Sequence, residues 1–253
     1  MRTINKDDLD IINMKHIYTS EDAKTYRDDD TVYKLFEKPE DVIAKDHAVK
    51  ARIMNRYRRY LDKHIILPKE MIVCDRYDAG YTSKYVKNST PLYNFQINSP
   101  ADLKQFYYYL YDICKLLKNL HNTGIVVSDF HFHNVLVQKN DVFMVDFDNV
   151  RVEDLYGYTP SYLLYSFVDL YEIPFSYGLI NEETDRLSLL LSTLQMFCKE
   201  GTIFLTDERY GSLSEKYLLV NNILAELRRI IKQKKIKDVP LPSDLIQLKK
   251  RPF

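Results

Sequence analysis

The stretch Gly124-Ile125-Val126-Val127-Ser128-Asp129-Phe130-His131-Phe132-His133-Asn134-Val135-Leu136-Val137-Gln138-Lys139-Asn140-Asp141-Val142-Phe143-Met144-Val145-Asp146-Phe147-Asp148 decides how the chain is read. Two short apolar runs, Val135 to Val137 and Phe143 to Val145, flank the turn residues Asn140-Asp141, which is the pattern of a β-hairpin centred on residue 140. Pairing about that centre sets 137 opposite 143 and 134 opposite 146. Asn134 and Asp146 then meet at the open end of the hairpin, an amide oxygen beside a carboxylate, and Asp129 enters from the preceding loop. Hard oxygen donors at one point suit Mg²⁺, which takes one or two carboxylates and completes its shell with phosphate and water.

Helical signals lie on both sides of this stretch. Upstream, Ser99 can cap a helix, Pro100 takes its first position and Asp102 faces the positive end of the dipole. Leu103, Phe106, Leu110, Ile113, Leu117 and Leu120 then recur every three to four residues, and Asn122 or Gly124 ends the run. Downstream, a helix starting near Asn181-Glu182-Glu183 carries Leu187, Leu190, Leu191, Leu194 and Phe197 on one stripe, and another covers Glu215 to Gln233. Its bases, Arg228, Arg229, Lys232, Lys234, Lys235 and Lys237, read as a solvated face.

Toward the N-terminus, Ile11 to Tyr18, Ala23 to Arg27 and Thr31 to Phe36 read as a three-stranded meander, broken at Thr19-Ser20-Glu21-Asp22 and Asp28-Asp29-Asp30. Glu40 to Leu61 lacks Gly and Pro and predicts one helix, with Lys50, Arg52, Arg56, Arg58 and Arg59 on a solvated face. Met71 to Cys74 and Tyr81 to Val86 are two further strands joined by Asp75 to Gly80, and the polar connector Lys87 to Pro91 marks a boundary. The expected class is α+β: a small antiparallel sheet with one helix over residues 1–87, and a mainly helical part over 88–253.

Composition narrows the function classes. Lys plus Arg and Asp plus Glu number 36 each, so no global field recruits nucleic acid or an anionic membrane, and neither is an expected partner. No window has the uncharged apolar length of a membrane span, and MRTINKDDLDIIN is too acidic for a signal peptide, so the expected compartment is the cytoplasm. Cys74, Cys114 and Cys198 are far apart and form no CxxC, which reads as buried thiols rather than a disulfide framework or zinc site. His121, His131 and His133 read as neutral histidines near the loop.

Asp129 and Asn134 have the D-x-x-x-x-N spacing, and Asp146-Phe147 follow after a hairpin of suitable length. With Val32-Tyr33-Lys34 upstream and Gly157-Tyr-Thr-Pro-Ser-Tyr162 and Asp185 downstream, the sequence resembles the protein-kinase superfamily over roughly Tyr18 to Phe197, as a compact eukaryotic-like or atypical bacterial-type member. The resemblance implies a two-lobed fold with ATP and Mg²⁺ in the cleft and transfer of phosphate to a protein hydroxyl. It makes Asp129 the group that orients the acceptor, Asn134 and Asp146 the Mg²⁺ ligands and Lys34 the nucleotide anchor. Val32 and Leu136 would sandwich adenine, the main chain of Tyr85 and Val86 would bond its edge, and His131 would help at the phosphates. Asp185 would brace the catalytic loop, and Thr159 would lie on the platform for a substrate chain.

The sequence departs from the family's pattern at four places. No glycine precedes Gly80, so Ser20 to Ala23 stand where a glycine-rich loop is usual. Asp41, Asp46 and Asp62 are the only acids from Asp41 to Lys69, and Asp46 is the shorter candidate to substitute for the glutamate partner of Lys34 that the resemblance implies. Val127-Ser128 replace H-R, which removes the arginine that clamps a phosphorylated loop, and Asp148 replaces the glycine of D-F-G. Two other readings stand beside the protein kinase. Asp129-Phe-His131-Phe-His133-Asn134 and Val145-Asp146-Phe147-Asp148 are similar to the D-x-H-x-x-N and I-D-F-D motifs of aminoglycoside and choline kinases, whose acceptors are small molecules. A pseudokinase acting as a binding scaffold is the third.

Overall fold

The structure, a computed structural model, describes residues 1–157, 160–176, 178, 180–198, 213 and 217–246. It is α+β. Strands β1 (Arg2–Asn5), β2 (Lys15–Thr19), β3 (Ala23–Asp28), β4 (Thr31–Phe36), β5 (Glu70–Cys74) and β6 (Tyr77–Lys84) form one sheet in the order β1-β5-β6-β4-β3-β2. The meander of β2, β3 and β4 is present, but the sheet is mixed rather than antiparallel, because Arg2–Asn5 adds a parallel strand beside β5 with Arg2 opposite Glu70. Ile11–Asn13 form a 3-10 turn instead of opening β2, closed by the Asn13 amide donating to Asp10 Oδ2 at 2.7 Å. The β2 pairing slips by a bulge between His16 and Tyr18.

The β5–β6 connection is tighter than the sequence implies. Asp75 takes a left-handed φ of 51°, so Cys74 pairs with Tyr77 across two residues, and β6 starts four residues before the predicted Tyr81. Gly80 sits in the middle of β6 opposite Leu35 and Ile72. A Cβ there would lie 2.0 Å from the Lys34 carbonyl oxygen, so the hydrogen at this position sets how closely β4 approaches β6.

Helix α1 (Val42–Tyr57) lays Ala44, Ala48 and Ala51 against Ala23, Phe36, Met71 and Tyr81 of the sheet, while its end, Ile53 and Met54, joins the main core. That core is built on α2 (Pro100–Asn122), α3 (Tyr162–Leu170), α4 (Glu182–Cys198) and α5 (Leu218–Gln233), with the short α6 (Pro242–Leu245) against α2. Ser99 caps α2 as its sequence implies: its hydroxyl accepts the Asp102 N–H at 3.2 Å, and Asp102 Oδ2 accepts the Ser99 N–H at 2.9 Å. Among the described residues no helix is long and apolar enough to cross a membrane. Cys114 is buried, whereas Cys74 and Cys198 are half-buried.

A second sheet joins β7 (Thr90–Pro91), β8 (Val135–Gln138) and β9 (Asp141–Met144). Its hairpin differs by one position from the predicted register: Leu136 faces Phe143 and Gln138 faces Asp141, around a two-residue turn with Lys139 at φ 52°. Asn134 therefore stands opposite Val145, whose N–H donates to its carbonyl at 3.0 Å, and not opposite Asp146. The segment after α1 runs along the outer edge of β9, with the Ile66 N–H donating to Met144 O at 2.8 Å and the Met144 N–H to His64 O at 2.9 Å.

Candidate functional site

Lys34 projects from the centre of β4 and meets the segment that follows β9. Its Nζ donates to Asp146 Oδ1 at 2.7 Å and lies 2.6 Å from Asp148 Oδ2. Asp146 and Asp148 flank Phe147, and both carboxylates reach Lys34 while the ring goes into the core, 1% exposed. Asp146 holds a left-handed φ of 67° without being glycine, a strained conformation of the kind that persists where surroundings fix it. The two acids differ in access: the Asp146 side chain keeps 38% of its exposure and the Asp148 side chain 7%. Asp146 is the outer carboxylate and Asp148 the inner one.

Their electrostatics follow from that arrangement. Burial works against the Lys34 ammonium, but Asp146 and then Asp148 outweigh it and hold its pKa well above the ordinary lysine value. Burial and the neighbouring Asp148 push Asp146 up to about 6 against the pull of Lys34. Burial also opposes the Asp148 charge, yet Lys34 and His47 keep it below the usual carboxylate range. The Tyr81 hydroxyl, 3.5 Å from Asp146 Oδ1, is raised well above its usual value by burial and by Asp148. Burial lowers the pKa of His47 of α1, which lies 3.9 Å from Asp148. One ammonium between two carboxylates thus leaves one net negative charge facing the opening.

Asp46 is not the partner of Lys34. It pairs with Lys50 one turn along α1 at 2.5 Å, and Lys50 is fully buried rather than on a solvated face, donating also to Tyr156 O at 2.5 Å. Arg52 clasps Asp78 through two nitrogens at 2.6 and 3.2 Å and Arg58 donates to Pro68 O at 2.8 Å, while Arg56, Arg58 and Arg59 are exposed as expected. On the last long helix, Arg229 pairs with Glu226 and donates to Lys237 O at 2.7 Å.

Asp185, at the start of α4 and fully buried, accepts the Val127 and Ser128 N–H groups at 2.7 and 2.9 Å and lies 2.9 Å from His121 Nε2. These bonds hold Ser128 at φ 66°, immediately before Asp129. Gly157 packs on that turn; a Cβ there would sit 2.1 Å from Ser128 Oγ. Asp129 is half-buried, with His131 Nε2 3.6 Å from its Oδ1. The Asn134 amide nitrogen lies 3.5 Å from Asp129 O and 3.2 Å from His131 Nε2, so its side chain is tied to the loop. His131 accordingly sits with Asp129 and Asn134, and His133 stacks on Tyr93 with ring centres 4.1 Å apart.

Beside the charged cluster, Ile66, Val86 and Phe143 form a small apolar group with Leu136 and Val145 against it, and Val32 pairs with Ser83 across β4 and β6. The main chain of Tyr85 and Val86 is partly committed: the Tyr85 N–H donates to Asp30 O at 2.8 Å and Val86 O accepts the Ser89 hydroxyl at 2.7 Å. Only the Tyr85 carbonyl and the Val86 N–H stand outside those bonds. The β2–β3 turn at Ser20-Glu21-Asp22 is closed by Ser20, whose hydroxyl accepts the Ala23 N–H at 3.1 Å. Thr159 and Tyr158 lie outside the described residues, while Ser161 caps α3 through the Leu164 N–H.

A cavity of about 420 Å³ lined by Asp62, His64, Asp112, Lys115, Asn119 and Asp141 shares no residue with this cluster. Convergence of charge rather than cavity size therefore marks the candidate site. Sequence reading overlooked His47, Lys50 and the inward role of Asp148. The spacing of His47, Lys50, Ala51 and Met54 on the apolar stripe of α1 was the available signal for the first two. Comparison with protein-family models and with curated proteins gives no match.

Proposed function

We propose that the chain is an ATP- and Mg²⁺-dependent phosphotransferase of two-lobed, protein-kinase-like architecture, transferring phosphate to a hydroxyl of a protein substrate. The two lobes would be residues 1–87 and 88–253. The observation that carries this reading is the joining of Lys34, from the sheet, to the Asp146 and Asp148 carboxylates that follow the second hairpin. Its net negative charge would repel a free polyphosphate and accept a divalent cation, which makes the reading metal-dependent. The donors fit Mg²⁺: a carboxylate on the open side, Asp146, and the amide of Asn134 at the same end of the hairpin, both hard oxygen ligands. Among the described residues no group of three or more His, Cys, Asp or Glu is placed to hold a metal ion, so the site would rest on Asp146 and Asn134 with phosphate and water completing the shell.

Bound Mg²⁺ would neutralise charge on the transferring phosphate. Lys34 would anchor the phosphates, and Asp129 would orient the acceptor hydroxyl and take its hydrogen bond. Val32, Leu136 and Val86 would hold the base. Asp185 would keep Asp129 in place through the backbone of Val127 and Ser128. One observation favours a small-molecule acceptor instead: His131 contacts both Asp129 and Asn134, as the similarity to the D-x-H-x-x-N loop leads one to expect.

Calorimetry and thermal shift with ATP, with and without excess Mg²⁺, test the nucleotide site, and γ-labelled ATP with a protein mixture or with small hydroxylated amines and sugars tests the acceptor. Metal-dependent binding is expected; absence of heat and of thermal shift at millimolar Mg²⁺-ATP refutes the reading. Lys34→Ala and Asp146→Ala should each lower transfer at least about a hundredfold, and Asp129→Asn should abolish it while ATP affinity stays within a few fold. Labelling confined to small acceptors selects the second reading.

A further inference from the structure

Lys34 needs a fixed counter-charge that survives the arrival of a nucleotide. Asp146 cannot serve throughout, because the same outer carboxylate is the one that would turn to the metal. The acids that could take over are few. Within α1, from Val42 to Tyr57, the sequence holds a single acid, Asp46, and it is bound to Lys50 at 2.5 Å. Lys50 is fully buried and also donates to Tyr156 O, so moving Asp46 to Lys34 would strip a buried ammonium of its counter-ion. Asp148 is different. It lies 2.6 Å from Lys34, its side chain is 7% exposed, and it also faces Asp146 and, at 3.9 Å, the imidazole of His47.

We infer that Asp148 is the positioning residue that holds Lys34 toward the nucleotide phosphates, in place of an acid on the adjacent helix. The inference rests on the nucleotide reading above and adds a consequence for regulation of that site. The metal-facing acid and the lysine's anchor are two residues apart in one segment. Displacement of α1 would reach Asp148 through His47 and β4 through Phe36, but the acid that would anchor Lys34 does not lie on the helix. With its side chain 7% exposed and 2.6 Å from Lys34, Asp148 would act through Lys34.

Two arms test this. In the first, without nucleotide, acetylation of Lys34 by an amine-reactive ester is followed by mass spectrometry at pH 8. Asp148→Asn removes a counter-charge from the ammonium, so Lys34 should react several times faster than in wild type, Asp148→Glu should restore much of the protection, and the double variant Asp46→Leu/Lys50→Met should leave the rate unchanged. In the second, steady-state transfer should show a raised KM for Mg²⁺-ATP and a lowered kcat in Asp148→Asn, partial recovery in Asp148→Glu, and wild-type values in the double variant. Unchanged Lys34 reactivity in Asp148→Asn, or equal acceleration in the double variant, overturns the role of Asp148 while wild-type Mg²⁺-ATP binding still stands. Altered reactivity in a protein whose wild type binds no Mg²⁺-ATP overturns the nucleotide reading and the phosphate-directed role with it.

Discussion

Replacing Asp185 by alanine removes the acceptor for three groups at once: the Val127 N–H at 2.7 Å, the Ser128 N–H at 2.9 Å and His121 Nε2 at 2.9 Å, all beside a side chain with no exposure. Water cannot replace it without opening the core. A buried backbone N–H left unpaired costs about 1–3 kcal/mol, so the two together cost roughly 2–6 kcal/mol, and the lost imidazole contact adds about 1 kcal/mol. Relaxation of Ser128 from its left-handed φ of 66° returns some of this, on the order of 1 kcal/mol. The net, roughly 2–6 kcal/mol, is a large fraction of the stability of an ordinary domain, about 5–15 kcal/mol. Asp185→Asn keeps one acceptor oxygen but turns an NH₂ toward the other backbone N–H, because Val127 and Ser128 use different carboxylate oxygens, so it should recover no more than about half of the loss. Urea denaturation followed by circular dichroism measures both, and hydrogen exchange at Val127 and Ser128 localises the effect. An Asp185→Ala protein within about 1 kcal/mol of wild type, with those amides still protected, would refute the brace.

Three other outcomes follow from the packing. Gly80→Ala puts a Cβ 2.0 Å from the Lys34 carbonyl, so it should destabilise by roughly 1–3 kcal/mol or more and lower the melting temperature; an unchanged melting temperature would mean that β4 and β6 separate at no cost. Lys50→Met leaves Asp46 without its ion-pair partner and should cost about 3–5 kcal/mol, whereas Asp46→Leu/Lys50→Met should recover most of it, and additive losses in the cycle closed by Asp46→Leu would contradict the pairing. Burial pushes the Cys114 thiol up to about 11, above the value it regains on unfolding, so its contribution is complete below about pH 9 and is lost as pH rises through 11. A pKa difference near two is worth about 2.7 kcal/mol, and Cys114→Ala should flatten the alkaline fall in urea midpoint between those values; equal slopes in the two proteins would sink the assignment.

The helices were legible because their signals are local. Ser99, Pro100 and Asp102 fix the start of α2 by bonds within one turn, and the leucines of α4 repeat at the helical period whatever surrounds them. Strand limits were less so. The spacing rule places the hairpin turn at Asn140-Asp141, but Lys139 accepts a left-handed φ, and that one backbone choice shifts Asn134 from Asp146 to Val145. Nothing near Arg2–Asn5 signals the parallel pairing with Glu70 to Val73, which depends on a partner far along the chain. The charged cluster was half visible: Lys34 and Asp146 stood out by motif, whereas the sorting of Asp46 to Lys50 and of Asp148 to Lys34 is decided by burial, which charge alone does not report. Lys50 was misplaced for the same reason, since a base on an apolar stripe looks solvated until the depth of the stripe is known.

The bulge between His16 and Tyr18 and the four-residue length of β1 bear on how copies of this chain behave toward one another. An open strand edge is a template for another sheet, and both edges here are blunted: β2 is bulged and fully exposed, with a lysine at its first position, and β1 is too short to template a long ladder. Behind β1 stand Met71 and Ile72 of β5, neither of them exposed. The first five residues therefore act as a cover strip over an aggregation-prone seam, and proteolytic loss of that strip would turn a self-limiting sheet into one that can grow from chain to chain.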